Sequence, residues 1–227
     1  MRKPVRSYRA LRPNNITSPQ YRHLLLLLGW VVYFILYFLT ENLIPAEDCY
    51  PVHCRLDDVI PFCEWFVIPY VGWYALIVVS LLYFAAYNVD AFTGLQKYII
   101  TTQLLAMVCY ILFPTRQDLR PEVFVNDNVL TKLMGIIYAA DTNTGVCPSL
   151  HVGYSLGIAS AWLKDKESPL WARIFVVIFV FFVCISVAFT KQHSVVDIFA
   201  AIPLCFIAEL VAFEKSYWRP RRLAKEK

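Results

Sequence analysis

Two short stretches carry side chains able to do covalent chemistry. Pro148-Ser149-Leu150-His151 offers a hydroxyl and an imidazole, and His193-Ser194-Val195-Val196-Asp197 offers an imidazole four residues before a carboxylate. On a helix such an i, i+4 pair shares a face within hydrogen-bond reach. A carboxylate on one ring nitrogen fixes the tautomer and leaves the other nitrogen as a nucleophile. His151 then has the role of general acid. Arg116 and Arg120 add fork-shaped donors suited to phosphate oxygens, Lys191 a point charge and Ser149 a hydroxyl. Pro148 suits the first turn of a helix, whose free N–H groups form an anion site. Together these residues point to phosphoryl transfer through a phosphohistidine, with no metal and no other cofactor. Blander readings exist for each piece alone. H-x3-D is often a buried histidine with a satisfied partner, and two arginines often mark a solvated loop. Zinc held by His151, His193 and Asp197 is a further reading, but Cys147 is poorly placed as a fourth ligand.

The elements that must hold these residues are membrane helices. Of 227 residues 59% are hydrophobic and only 17% charged, with mean hydropathy +0.53, which excludes an ordinary soluble domain. The chain reads as all-α, a polytopic six-transmembrane-helix bundle. Residues 1–22 form a basic cytoplasmic tail, 23–213 the membrane catalytic domain and 214–227 a second basic cytoplasmic tail. Apolar runs place the spans at 24–39, 66–87, 98–113, 148–163, 171–190 and 195–213; the first reaches roughly 20 residues with its ends, enough to cross ~30 Å of hydrocarbon, and the third and fourth are short. The first 22 residues lack the apolar core of a signal peptide.

Basic residues set the expected orientation. With both termini cytoplasmic, that side holds six Lys and Arg in 1–22, Lys97, three between the fourth and fifth spans and six in 214–227; the other side holds five. Trp162, Trp171 and Trp218 then fall near the cytoplasmic boundary as an aromatic belt. Arg116, Arg120, Ser149, His151, Lys191, His193 and Asp197 all fall on the extracytoplasmic or lumenal side. The expected location is a cell membrane or endomembrane, with the active site outward or lumenal.

Residues 126–141 alternate at helical spacing, which predicts an amphipathic helix, either in the outer interface beside a lipid entry path or simply covering the bundle. Cys49, Cys54 and Cys63 lie on the side where a disulfide is permitted, and Cys49–Cys54 is the first expectation.

Order and spacing give a resemblance. Arg120-Pro121, Pro148-Ser149-x-His151 and Ser186…His193-x3-Asp197 resemble the motifs K-x6-R-P, P-S-x-H and S-R-x5-H-x3-D of the type 2 phosphatidic acid phosphatase superfamily, which also includes vanadium haloperoxidases. The match covers roughly residues 113–203. It implies a six-helix membrane core with His193 as nucleophile, Asp197 as its orienting partner and His151 as general acid. Two family cations are replaced, by Phe113 and Val187. Arg116 and Lys191 are the expected substitutes, a style similar to the branch containing inositol phosphorylceramide synthases and related lipid phosphotransferases. On a helical turn Arg116 and Arg120 would share a face.

The expected function is therefore a lipid phosphate phosphatase. A phosphotransferase passing the headgroup to an alcohol is the alternative, and a non-catalytic lipid transporter or scaffold a more distant one. The expected partners are a lipid phosphate and the bilayer, without nucleic acid.

Overall fold

The computed structural model describes residues 3–5, 7–214 and 217. Nearly all of the basic C-terminal tail, Trp218 included, lies outside the described residues, as do Arg2 and Arg6.

Eight α-helices are present among the described residues: α1 (Leu28–Leu43), α2 (Arg55–Val59), α3 (Val67–Tyr87), α4 (Val89–Leu112), α5 (Val129–Ala140), α6 (Leu150–Lys164), α7 (Leu170–Phe189) and α8 (Val195–Phe213). Two-residue strands β1 (Tyr50–Pro51) and β2 (Thr115–Arg116) pair in parallel. Five helical stretches are long and apolar enough to cross a membrane: 22–43, 64–87, 89–112, 170–189 and 195–213. That marks the chain as a membrane protein. The stretch expected as the fourth span is α6, whose 15 residues reach only about 22 Å at 1.5 Å per residue.

Sequence explains why α6 is the centre of the bundle. Gly153 and Gly157 stand four apart, the small-residue spacing that lets helices approach closely. A Cβ on Gly157 would collide with the Tyr98 ring of α4. Ten of the 15 residues are buried, and α6 packs on α4, α7 and α8. The outward faces of α1, α3, α7 and α8 expose Phe38, Leu82, Phe181 and Phe206, as lipid-facing helices do.

α4 begins nine residues before the expected third span. Asp90, Gln96 and Lys97 dilute its hydropathy, but Asn88 caps the start by accepting the Ala91 N–H at 3.0 Å. Trp162 is not part of a belt: it is buried and donates from Nε1 to Ser80 Oγ at 3.0 Å, tying α6 to α3. The segment from Tyr50 to Val59 and the one from Thr115 onward lie over the end of the bundle where α6 and α8 begin. The N-terminal tail lies at the other end, where Tyr8 donates to Ala85 O at 2.8 Å.

α1 has no fully buried residue. It is held near its start, where Gly29 meets Ile100 and Trp30 Nε1 donates to Gln96 Oε1 at 3.2 Å. It is held near its end by Tyr37, whose hydroxyl donates to Asp141 Oδ1 at 3.2 Å, and by Glu41, which accepts from Thr142 and Thr144. Cys49 and Cys54, expected as a disulfide, are free, as are all seven cysteines. Cys54 instead starts α2, where its N–H donates to Asp57 Oδ2 at 2.7 Å.

Candidate active site

The turn between α7 and α8 places His193. α7 ends in a Schellman motif: Lys191 N–H donates to Ala188 O and Gln192 N–H to Val187 O, with Lys191 in the left-handed region at φ 54°. A position that favours glycine is here a lysine, whose ammonium donates to Asp57 O at 2.7 Å and to Ile60 O.

Next, Ser194 and Asp197 form a capping box. Ser194 Oγ accepts the Val196 N–H at 3.2 Å, and Asp197 Oδ2 accepts the Ser194 N–H at 3.0 Å. The box fixes Asp197, fully buried, so that the same Oδ2 meets His193 Nδ1 at 3.1 Å. His193 Nε2 is thereby the nitrogen left for chemistry.

His151 enters from α6. Its ring is stacked between Tyr70 (centroids 4.5 Å apart) and Trp73 (4.0 Å) of α3 and lies 5.9 Å from the His193 ring. Its Nε2 has no partner among the described residues. The helix does not begin at Pro148. Ser149 is the N-cap, and Pro148 precedes it after a cis peptide with its carbonyl accepting from Tyr110 at 2.7 Å. Ser149 N–H donates to Asp197 O at 3.1 Å, which pins α6 to α8 beside the histidines. Ser149 Oγ is buried without a partner among the described residues, and the N–H groups of Leu150, His151 and Val152 have none within the helix.

The cations are placed differently from the expectation. Arg120 spends its four Nη hydrogens on Tyr138 O, Asp141 O, Thr142 O and Gln192 Oε1 at 2.7–3.1 Å, lies over the Tyr138 ring and keeps only Nε unpartnered. It therefore clamps the C-terminal end of α5 to the residue before His193. Arg116 is in β2, not on a helical turn with Arg120; it holds Asp118 and Ala46 O. Lys191 is likewise committed to loop carbonyls. Neither Arg116 nor Lys191 is brought to the histidine pair, because each finds acceptors in the covering segments first.

Asp57 was missed by sequence reading. It is buried and sits on the N-terminus of α8, accepting Ser194 Oγ–H at 2.6 Å and Val195 N–H at 2.8 Å. Burial alone would raise its pKa, but these hydrogen bonds and that from Cys54 outweigh it, and the carboxyl is held below its ordinary value. The Cys54-x-x-Asp57 spacing was the one signal for it. Cys147, beside Asp197, has its thiol pushed up to about 12 by burial and by that carboxylate.

A cavity of about 680 Å³ opens below this cluster. Its polar end is formed by His151, His193, Gln192, Asp141 and Thr142, and it continues between α1 and α3 as far as Leu27 and Leu81. Ten or eleven residues separate those ends from Tyr37 and Tyr70, about 15 Å of helix. α5 flanks its mouth, and Asn128 caps its start, its side chain accepting from Leu130 N and Thr131 N.

No family model, curated protein or solved structure matches the chain.

Proposed function

We propose that the chain is a metal-independent lipid phosphate phosphatase working through a phosphohistidine on His193. The observation that carries this reading is the pair of imidazoles 5.9 Å apart, one oriented by a buried aspartate, at the polar end of a long apolar cavity. A histidine that was only structural would not need a second imidazole facing it, with an unpartnered nitrogen, at the head of such a space.

His193 Nε2 attacks phosphorus as the bond to the lipid oxygen breaks. His151 gives its proton to that oxygen and the lipid alcohol leaves. Water then attacks the phosphohistidine while His151 takes its proton, and inorganic phosphate departs. Asp197 balances the positive charge that develops on the His193 ring. Ser149 Oγ, the first-turn N–H groups of α6 and Arg120 Nε supply donors for the equatorial oxygens. Arg120 adds its charge from a fixed position. α6 completes a six-helix membrane core, short because neighbouring helices rather than lipid surround it. Both termini are cytoplasmic and the histidines lie on the opposite side, a placement that the basic bias supports.

The test is incubation of the purified protein with lipid phosphates, with and without alcohol acceptors and with chelator. Phosphate release that survives chelator and vanishes in His193→Ala is expected, with an acid-labile phosphoenzyme on rapid quench. Transfer to an alcohol in preference to water would move the assignment to a phosphotransferase. Turnover that requires an added metal would overturn the scheme.

A further inference from the structure

An exposed apolar patch lies outside the five spanning stretches, in and just before α5. Val123 is 81%, Val125 99%, Val129 80% and Ile136 66% exposed. The local sequence turns these side chains outward. In Val123-Phe124-Val125 the middle ring packs inward, 5.0 Å from the Phe62 ring and 5.8 Å from that of Tyr138, and its two neighbours are left outside. In α5 the buried residues are Thr131 and Met134, and the opposite face exposes Val129, Lys132, Ile136, Ala139 and Ala140. A helix that only covered the bundle in water would turn polar residues outward. Here the outward face has one charge, and Lys132 places it 3.2 Å from Asp127.

The patch is fixed at the level where a spanning stretch begins. Glu64, the first residue of 64–87, accepts from Asn126 Nδ2 at 2.7 Å and from Asn128 Nδ2 at 3.3 Å. α5 also packs on α3 and on residues 64–66. There Trp65 and Ile68 are exposed, so the lipid-facing surface of α3 starts at the level of the patch, where amphipathic rings sit in a bilayer. On its other side α5 lines the cavity with Ile137 and Ala140. Arg120 joins the carbonyls of Tyr138 and Asp141 to Gln192, the neighbour of His193. The depth of α5 therefore sets the depth of the histidines.

We propose that Val123, Val125 and the outward face of α5 are seated in the bilayer, at the boundary of headgroups and acyl chains in the leaflet on the histidine side. The partner is the lipid surface itself. Helices of this kind sink roughly 5–10 Å into that boundary. The cavity mouth beside α5 then opens into the leaflet, at the level lipid headgroups already occupy. Burial of apolar area drives the seating. Residues 121–136 hold Glu122 and Asp127 against Lys132 alone, so no cationic field calls for anionic lipid.

The experiment reconstitutes the full chain in phosphatidylcholine vesicles with a photoreactive benzophenone side chain at position 125, at position 136 or, as a water-facing control, at the exposed position of Asp118. After irradiation, adducts are identified by mass spectrometry. Lipid adducts at 125 and 136 and none at 118 are expected, with yields unchanged by high salt or by added anionic lipid. Crosslinked dimers in place of lipid adducts would make the patch an interface between copies, and no adduct at either position would make it a cover in water; both overturn the seating. Yields that rise with anionic lipid and fall with salt would overturn apolar burial as its cause. If the benzophenone variants do not fold, quenching of Trp65 by brominated lipid, taken as the difference between wild type and Trp65→Phe, carries the test. Bromine near the headgroup end of the chains should quench it more than bromine at the chain ends, and equal quenching or none overturns the seating. Neither readout needs turnover, so the result stands apart from the phosphatase reading.

Discussion

Asp57 and Ser194, 137 residues apart in sequence, share a 2.6 Å hydrogen bond at the first turn of α8. The segment that covers the bundle and the helix that carries Asp197 are thus one unit. The anion site at that helix N-terminus is already filled by a carboxylate of the protein.

Asp57→Asn should therefore loosen the His193 turn without touching the histidine. The network supplies hydrogen bonds to a charged, buried group, so a loss of about 1–3 kcal/mol of stability is expected. Because the folded pKa of Asp57 is lowered, its contribution is present above the ordinary carboxylate pKa and is lost as pH falls through the folded value. The wild-type melting temperature should drop on acidification below about pH 4, and Asp57→Asn should lose part of that dependence. Identical melting-temperature-against-pH curves for the two proteins would refute this role.

His193→Ala should abolish turnover, and Asp197→Asn should lower it by roughly 10²–10⁴, by comparison with loss of the orienting carboxylate of other catalytic histidines. Asp197 also closes the capping box, so melting curves must accompany the rates.

His151→Ala should slow alkyl phosphates far more than aryl phosphates, whose leaving oxygens need no proton. Equal losses with a lipid phosphate and p-nitrophenyl phosphate would argue against proton donation.

Lys191→Met keeps the left-handed backbone and loses the ammonium bonds, whereas Lys191→Gly loses both the strain and the bonds. Glycine should thus be the better tolerated, by about 1 kcal/mol in stability. Limited proteolysis should cut residues 54–60 faster in either variant. A drop in saturated turnover comparable to that of Asp197→Asn, in well-folded Lys191→Met, would instead return Lys191 to the phosphate.

Gly157→Ala should destabilise the bundle by about 1–3 kcal/mol, because its Cβ meets the Tyr98 ring. A melting temperature equal to the wild type would show that the ring moves aside.

The histidine pair was legible because its information is local: an i, i+4 spacing and a capping residue decide where His193 and Asp197 point. The final helix, 195–213, was readable to the residue for the same reason. Arg116, Lys191 and Arg120 were legible as cations but not as ligands. Their partners are backbone carbonyls of distant loops, which leave no mark in residue identity. Asp57 was hidden likewise, since nothing in a short polar segment reveals that it caps a helix more than a hundred residues later. α4 was shortened in the reading because a helix buried among helices tolerates Gln96 and Gly94, which lower hydropathy without ending it.

α1 has no fully buried residue, packs on the core through Trp30, Tyr33, Leu36 and Tyr37, and forms one wall of the cavity. A substrate that slips past such a helix never leaves the bilayer. Its effective concentration is then a mole fraction in a two-dimensional solvent. Diluting the substrate with inert lipid at constant bulk amount should slow the reaction, and adding buffer should not.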